Sequence, residues 1–329
     1  MERMEASPEA MIRMATGAWA TAVLGSAVDS GVFSIVEEAS GTCRDVAAAM
    51  GTSLRGTQAL LDGLVGLGLL TVAGGCYANS PATSMFLVRG RPSYIGDWIS
   101  FHAAEMREWA RFGESVRTGA PVFPDADRAA SVADLTLALA PLAVPVIVAA
   151  GERLGVAEAG PISILDVGGG SGVFSAFWLC ANQKARSTQI DQARVNAVAR
   201  RYVEAFGVAN RFRTIDGDAS ALDWGSGEYD IGVFSHVSHT LGPEQNAGAM
   251  RKFRKALRTG GTLLIADFVL SDDRSGPPMA LLFGVNMLVH TPHGGAWREG
   301  DYREWLAGAG FADVSIDRGS PPVALIYAR

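Results

Sequence analysis

The chain of 329 residues is long enough for two domains, and its 48% hydrophobic and 19% charged residues exclude an intrinsically disordered protein. A net charge of −6 and a pI near 5.4 argue against nucleic acid or an anionic membrane as the main partner. Cys43, Cys76 and Cys180 are scattered and match no metal-site spacing, so we expect free thiols in the cytoplasm. The start of the chain has acidic residues and no apolar core, unlike a signal peptide.

The first segment, residues 1–90, is predicted to be mostly helical and to end in a hairpin. Two stretches with helical spacing of apolar residues are split by a turn at residues 51–53, and Gly74 and Gly75 mark the hairpin. This order is typical of a winged helix, which predicts either DNA binding or dimerisation. The second helix carries a single basic residue, Arg55, whereas phosphate contacts need several, so dimerisation is favoured.

The second segment, residues 91–155, is predicted to be a helical linker and lid. It ends in the longest apolar run, Leu135–Gly151, which contains Pro141 and Pro145. The run is shorter than the ~20 apolar residues of a membrane span, so it is predicted to be a buried helix.

The third segment, residues 156–329, alternates predicted strands and helices. Such alternation indicates an α/β domain with a doubly wound parallel sheet. The last two strands are separated by a short turn and should therefore pair antiparallel.

A glycine-rich loop follows the first of these strands, in the sequence ILDVGGGSG. Gly168, Gly170 and Gly172 have GxGxG spacing, because a dinucleotide-type GxGxxG would need glycine where Val173 stands. Asp166, before the loop, would repel a pyrophosphate but attract a cationic ligand.

Two further acids follow the next two predicted strands. Asp191 can accept hydrogen bonds from ribose hydroxyls, and Asp218 can accept one from an adenine amine. Together with the loop, they predict a nucleoside site at the carboxyl edge of the sheet.

These motifs, with GDA at residues 217–219 and KALRTGGTLLIADFVL near the end, resemble the S-adenosylmethionine-dependent small-molecule methyltransferases. More narrowly, they resemble O-methyltransferases with an N-terminal winged-helix dimerisation domain, which act in secondary metabolism, including antibiotic biosynthesis. The resemblance implies a seven-stranded Rossmann-like domain, a homodimer formed through the N-terminal domain, and a small-molecule acceptor. It also implies cofactor contacts, which are expected at Asp166, Gly168, Gly170, Gly172, Asp191, Gly217, Asp218, Ala219 and Ser235.

The resemblance further implies a histidine base after the fourth strand of this sheet. His239 falls at that position, although His-Thr-Leu stands where the family has His-Asp-Trp. Asp267 matches the acid that orients the base, and Glu299 is a loose candidate for a second acid. An imidazole can deprotonate a substrate hydroxyl near neutral pH.

Four histidines fall near the expected acceptor pocket, and a fifth, His102, lies in the expected lid. A branch of the family methylates α-keto acids at the β-carbon with a metal held by histidines. In that case His239 and His290, with His236 or His293, would bind a divalent or trivalent ion such as Zn or Fe. Arg107 or Arg111 would then hold the substrate carboxylate.

Two functions from the same family and one from another class therefore remain open. The favoured one is metal-assisted C-methylation of an α-keto acid, and the alternative is O-methylation of a phenolic or enolic hydroxyl with His239 as the base. The remote alternative is a winged-helix regulator that senses a nucleoside ligand.

Overall fold

The fold is that of a computed structural model, which describes residues 6–39, 41–122, 125–319 and 322–329, apart from the side chains of residues 125–134. The chain divides into two compact units, of which the first ends at Ala110 and the second begins at Arg111. The segment predicted as a separate linker and lid, residues 91–155, is therefore shared between the two units.

The first unit is mostly helical with a small sheet. Its helices are α1 (Pro8–Ala15), α2 (Gly17–Ser30), α3 (Val32–Glu38), α4 (Cys43–Met50), α5 (Leu54–Gly66), α6 (Pro81–Phe86), α7 (Gly96–Ala104) and α8 (Met106–Trp109). Its strands are β1 (Gly41–Thr42), β2 (Leu70–Ala73) and β3 (Cys76–Asn79), in the order β1-β3-β2.

The predicted helix–turn–helix–hairpin order of the first unit is confirmed. Thr42 and Asp45 form a capping box that begins α4, and Gly51 ends this helix in a left-handed conformation. Gly74 and Gly75 have positive φ values of 58° and 81°, which the two-residue hairpin between β2 and β3 requires.

The second unit is an α/β domain. Its helices are α9 (Phe112–Thr118), α10 (Asp125–Leu154), α11 (Val173–Ala181), α12 (Ala193–Ala205), α13 (Pro243–Ala256), α14 (Pro278–His290) and α15 (Glu299–Gly308). Its strands are β4 (Ser163–Val167), β5 (Arg186–Asp191), β6 (Phe212–Asp216), β7 (Tyr229–Ser235), β8 (Leu257–Asp267), β9 (Val269–Leu270), β10 (Trp297–Arg298), β11 (Val314–Asp317) and β12 (Ala324–Ala328). Short 3-10 helices lie at Ala209–Arg211 and Ser238–Thr240.

Helix α10 contains the long apolar run. By length and composition alone its part Leu135–Leu154 could cross a membrane, and so could the bent pair Pro8–Ser30 with Val32–Glu38. Core helices of soluble proteins meet the same criterion, and Ile147 and Ala150 of α10 are fully buried in the core of the second unit. The prediction that this run is too short to span a membrane is therefore wrong. The helix nevertheless packs on one face as a core helix does.

Seven strands form the main sheet, in the order β11-β12-β8-β7-β4-β5-β6. Strands β4 to β8 are parallel, and β12 is antiparallel to both β8 and β11, which confirms the predicted antiparallel final pair. Neighbouring residues of β8, Leu264 and Ile265, belong to two different buried clusters. Both faces of the sheet are thus covered, as predicted for a doubly wound fold. This arrangement brings the carboxyl ends of β4 to β8 to one edge.

Candidate active site

The carboxyl edge of the sheet holds most of the polar residues predicted from the sequence. Asp191, Ser235 and Asp267 are the last residues of β5, β7 and β8, and Asp166 is the penultimate residue of β4. Asp166 lies opposite Gln189 in the β4–β5 pair, and Ser235 lies opposite Ala266 in the β7–β8 pair. The parallel register therefore collects these side chains at one site.

The loop after β4 requires its glycines. Gly168, Gly170 and Gly172 have φ values of 70°, 58° and 75°, in the left-handed region that side chains disfavour. Gly169 was not singled out from the sequence. A Cβ there would lie 2.5 Å from Oε1 of Gln189 and 2.6 Å from Oδ2 of Asp166. The Gly169 backbone therefore lies closer to these two buried polar groups than a residue with a side chain would allow.

Asp166 is a buried carboxylate without a protein partner. It is 1% exposed, and neither of its oxygens accepts a hydrogen bond from the described residues. Burial, together with the charge of Asp191, raises the pKa of Asp166 to about 8. Oε1 of the neighbouring Gln189 also lacks a partner. Two unsatisfied acceptors beside a glycine loop fit a ligand that carries positive charge and N–H donors, as S-adenosylmethionine does.

Asp191 is held by the backbone around it. Its Oδ2 accepts a hydrogen bond from the Gly170 N–H at 3.0 Å, and its Oδ1 accepts one from the Gln192 N–H at 2.7 Å. Burial outweighs these bonds and raises the pKa of the Asp191 carboxyl. Asn196, which the sequence did not point to, donates to the Asp191 carbonyl and to Oδ1 of Asp216. The predicted ribose contact of Asp191 stays a prediction.

The GDA motif lies in the loop after β6. The Gly217 N–H donates to the Asp191 carbonyl at 3.0 Å, which joins this loop to β5. Asp218 is exposed, and hydrogen bonds from the Ser220 hydroxyl and N–H hold the pKa of its carboxyl below the usual value. The Ala219 carbonyl accepts a bond from the Lys252 ammonium. The cofactor contacts expected of Gly217, Asp218, Ala219 and Ser235 stay predictions.

His239 and Asp267 form a buried pair. His239 lies in the 3-10 helix after β7 and is 7% exposed, while Asp267 is fully buried. Nδ1 of His239 lies 2.8 Å from Oδ1 of Asp267, and the His239 backbone N–H donates to Oδ2 at 3.1 Å. Burial alone would raise the pKa of Asp267, but the interactions with His239 outweigh it and lower the pKa. Because Nδ1–H donates to this carboxylate, Nε2 keeps the lone pair that a general base needs.

A segment after α14 holds the backbone of this histidine. The Gly295 N–H donates to the His239 carbonyl at 2.9 Å, and the Trp297 indole N–H donates to the Ser238 carbonyl at 3.1 Å. A Cβ on Gly294 would lie 2.3 Å from the His239 carbonyl oxygen. The sequence analysis missed these residues; the adjacent glycines after His293 were their only visible signal.

Four aromatic rings form a closed chain of contacts beside the pair. Phe268 stacks on Phe283 with ring centroids 3.9 Å apart, His236 contacts Phe268, and His239 contacts Phe283. The centroids of His236 and His239 are 5.9 Å apart, which closes the chain. The surroundings of His236 lower the pKa of its imidazole to about 4, mainly through burial, so the ring is neutral near pH 7.

The predicted set of metal-binding histidines does not come together as expected. Among the described residues, the group with metal-ligand spacing is His236, His239 and Asp267, without His290 or His293. Nδ1 of His290 lies 2.8 Å from the Asn286 carbonyl of its own helix, and His293 is exposed. Within the group, His239 and Asp267 are hydrogen-bonded to each other, an arrangement that suits a base and its orienting acid.

The other predicted polar residues have varied partners. The guanidinium of Arg111 contacts Glu114 and the Val122 carbonyl. The carboxylate of Glu299 pairs with Arg303 and Arg318, so Asp267 is the acid that contacts His239. Arg107 belongs to the first unit, and its predicted role in substrate binding, like that of Arg111, stays a prediction.

Replacing Asp166 by Asn should stabilise the ligand-free protein at pH 8 to 9 but not near pH 4. The folded pKa of about 8 exceeds the unfolded value of ~3.9, so wild-type stability falls as the pH rises between these values. Each kcal/mol gained in the free energy of unfolding should raise Tm by about 2–4 °C, and this gain should disappear as the pH falls towards 4.

The same change should weaken binding of S-adenosylmethionine in calorimetry, because the cation loses its carboxylate. The control is Asp273→Asn. Interactions in the folded protein lower the pKa of the Asp273 carboxyl, so this change should bring no gain in stability. Equal curves of Tm against pH for wild type and Asp166→Asn would contradict the assignment.

Replacing Gly294 by Ala should slow catalysis while leaving the cofactor site intact. The added Cβ must push the His239 carbonyl away, and a displacement of about 1 Å at a reacting group can cost on the order of 100-fold in rate. We expect a fall in kcat with an unchanged Kd for S-adenosylhomocysteine. Gly308→Ala, where a Cβ meets open space, is the control. A kcat at the wild-type level would show that the segment does not position the base.

Comparison with known proteins agrees with this geometry. The O-methyltransferase domain family matches residues 155–312, and the O-methyltransferase dimerisation domain family matches residues 12–89. The chain is 31% identical to 3-hydroxy-5-methyl-1-naphthoate 3-O-methyltransferase of Streptomyces sahachiroi, over 96% of this chain and 93% of that protein.

Two further matches cover almost the whole chain. The tetracenomycin polyketide synthesis 8-O-methyl transferase TcmO of Streptomyces glaucescens is 27% identical, over 98% of this chain and 96% of that protein. The crystal structure of human N-acetylserotonin methyltransferase in complex with S-adenosylmethionine shares the fold, with a TM-score of 0.84, 24% identity and coverage of 100% of this chain and 99% of that one. The chain therefore belongs to the S-adenosylmethionine-dependent O-methyltransferases that carry an N-terminal dimerisation domain.

Proposed function

We propose that this enzyme methylates a phenolic or enolic hydroxyl of an aromatic small molecule in secondary metabolism, with His239 as the general base. The observation that carries this proposal is the buried His239–Asp267 pair, which leaves Nε2 of the imidazole to accept a proton. The two Streptomyces relatives act on a naphthoate hydroxyl and on a tetracenomycin polyketide, respectively, as their names state.

This choice corrects the favoured expectation from the sequence. The family and the relatives are O-methyltransferases, which support the alternative and not metal-assisted C-methylation of an α-keto acid. The side chains agree, because His239 is engaged with Asp267 and His290 with its own helix. The remote alternative, a DNA-binding regulator, has no support from these relatives.

The residues at the sheet edge would divide the work of the reaction. S-adenosylmethionine, when bound, would supply a methyl group on a sulfonium, and its C–S bond would break as the C–O bond to the acceptor forms. Nε2 of His239 takes the acceptor's proton, and the Asp267 carboxylate stabilises the imidazolium that results. Asp166 and the glycine loop would hold the cationic cofactor, so that its methyl group meets the deprotonated oxygen in line.

Replacing His239 by Ala should lower kcat by roughly 100- to 10,000-fold, the usual worth of a general base. The Kd for S-adenosylhomocysteine should stay within about twofold, because the ring of His239 bonds to Asp267 and not to the glycine loop among the described residues. Asp267→Asn should also lower kcat, since an amide no longer stabilises the imidazolium. The assay follows the transfer of the methyl group from labelled S-adenosylmethionine to 2-naphthol by wild type, His239→Ala and Asp267→Asn.

A control variant and a chelator treatment complete this test. Asn210→Ala, at an exposed position outside the site, is the control and should behave as wild type. Treatment with a chelator should leave wild-type activity unchanged under the base mechanism and abolish it under the metal mechanism. Full activity of His239→Ala would refute the proposal.

We also infer a homodimer formed through the first unit, whose sequence matches the dimerisation domain family. Helices α1 and α2 carry exposed apolar side chains there, including Met14 at 62% and Trp19 at 71% exposure. An apolar surface of this kind marks a protein–protein contact. A cytoplasmic location, and the absence of nucleic acid and membrane partners, stay predictions from the sequence.

Replacing Trp19 by Glu should shift the protein from dimer to monomer, because a charge in an apolar interface is left without a partner. Light scattering coupled to gel filtration measures the mass directly. Val72→Glu, at an exposed position on β2, is the matched control and should remain dimeric. A Trp19→Glu protein that stays dimeric would place the interface elsewhere.

A further inference from the structure

We propose that His236 binds the acceptor and selects molecules that carry a second oxygen close to the hydroxyl that reacts. This inference rests on the proposed O-methylation with His239 as the base. It assigns to His236 a role in substrate selection in place of the metal ligation that the sequence suggested.

The backbone of His236 is unusual. Its φ is 56°, and His236 and Arg274 are the non-glycine residues with positive φ in the described part of the chain. The left-handed region is uncommon for a residue with a side chain, although histidine and asparagine tolerate it better than most. Such conformations persist where surrounding structure enforces them, often at functional sites. Here the His236 N–H donates to the Ala266 carbonyl at 2.9 Å, which anchors the bend directly after β7.

The ring of His236 has no hydrogen-bond partner among the described residues. Other histidines of the chain do: His239 contacts Asp267, His290 contacts the Asn286 carbonyl, and His102 contacts Glu105. His236 is half-buried, its ring contacts Phe268 and His239, and a ring nitrogen lies within 4.8 Å of a carboxylate oxygen of Asp267 without a hydrogen bond to it. An imidazole offers one donor and one acceptor, and a half-buried ring that uses neither within the protein is suited to a ligand.

The spacing of the two histidines defines what this ligand can be. A ring nitrogen of His236 and one of His239 lie within 4.8 Å of each other. If the reacting hydroxyl faces His239, a second oxygen on the same molecule can face His236. Two oxygens that hydrogen-bond to these nitrogens from the same side lie close together, as oxygens on adjacent or alternate carbons of one aromatic ring do.

The neighbouring phenylalanines support a flat acceptor. Phe268 touches His236, Phe283 touches His239, and the two phenyl rings stack on each other at an interplanar angle of 19°. The stacked pair therefore lies along both histidines and offers apolar surface to an acceptor ring that contacts both of them. The chemical class that fits is a planar hydroxyarene with a neighbouring hydroxyl, carbonyl or carboxylate oxygen.

The test compares four naphthols as acceptors for wild type, His236→Gly and His236→Asn. In 2,3- and 1,3-dihydroxynaphthalene the second oxygen is close, in 2,6-dihydroxynaphthalene it is remote, and 2-naphthol has none. Glycine removes the ring and accepts the positive φ, whereas asparagine tolerates this φ and keeps an N–H donor. Thermal unfolding and the Kd for S-adenosylhomocysteine verify that each variant is folded.

We expect wild type to prefer the two close isomers by about fivefold to tenfold in kcat/KM, as one added hydrogen bond gives. His236→Gly should methylate all four naphthols with similar kcat/KM, and His236→Asn should keep part of the preference. The proposal would be overturned by a wild type that shows no preference for the close isomers, or by a His236→Gly protein that keeps the wild-type preference. If wild type methylates none of the naphthols, the proposed function itself fails, which is distinguishable from both.

Discussion

A buried carboxylate is costly unless it has hydrogen-bond partners, and the partners of Asp267 determine the geometry of the active site. Both of its oxygens accept hydrogen bonds from His239, one from the ring and one from the backbone, and Oδ1 also accepts one from the Phe268 N–H. Because Asp267 ends β8, a buried strand inside the sheet, the imidazole is fixed to the core of the domain. The remaining loops only have to bring cofactor and acceptor to it.

The second buried acid at this edge is in the opposite situation. Asp166 has no hydrogen-bond partner in the part of the chain that the structure describes, so its ionised form costs stability until a cation binds. The two aspartates differ in neighbours and not in chemistry, since both are deeply buried at strand ends. Asp267 is stabilised as a carboxylate by hydrogen bonds within the fold and orients a base, whereas Asp166 is suited to recognise a charged ligand.

The sequence predicted the fold, and the same periodicity predicted that several polar residues would lie at one edge of the sheet. Alternating strands and helices imply a parallel sheet, and such a sheet places residues like Asp166, Asp191 and Asp267 at one edge whatever the loops do. The histidines could not be placed in this way. His290 lies on α14 and bonds to its own helix, and His293 is exposed, so neither joins the group of His236, His239 and Asp267.

Contacts between distant segments were also invisible to pattern analysis. The need for glycine at position 294 arises from a carbonyl 55 residues earlier in the chain, and the left-handed turn at His236 arises from its anchoring on Ala266. Neither has a local signature, because the residue types involved are common in loops.

Helix α14 and the loop that follows it form one continuous stretch that contacts both the ring and the backbone of His239. Phe283 on the helix touches the ring of His239, while Gly294 and Gly295 fix its carbonyl. A lineage that reshapes this helix to admit a bulkier acceptor would also disturb the base. Diversification of acceptor range in such an enzyme should therefore be easier at Phe268, whose side chain contacts His236 and Phe283 and lies outside this stretch.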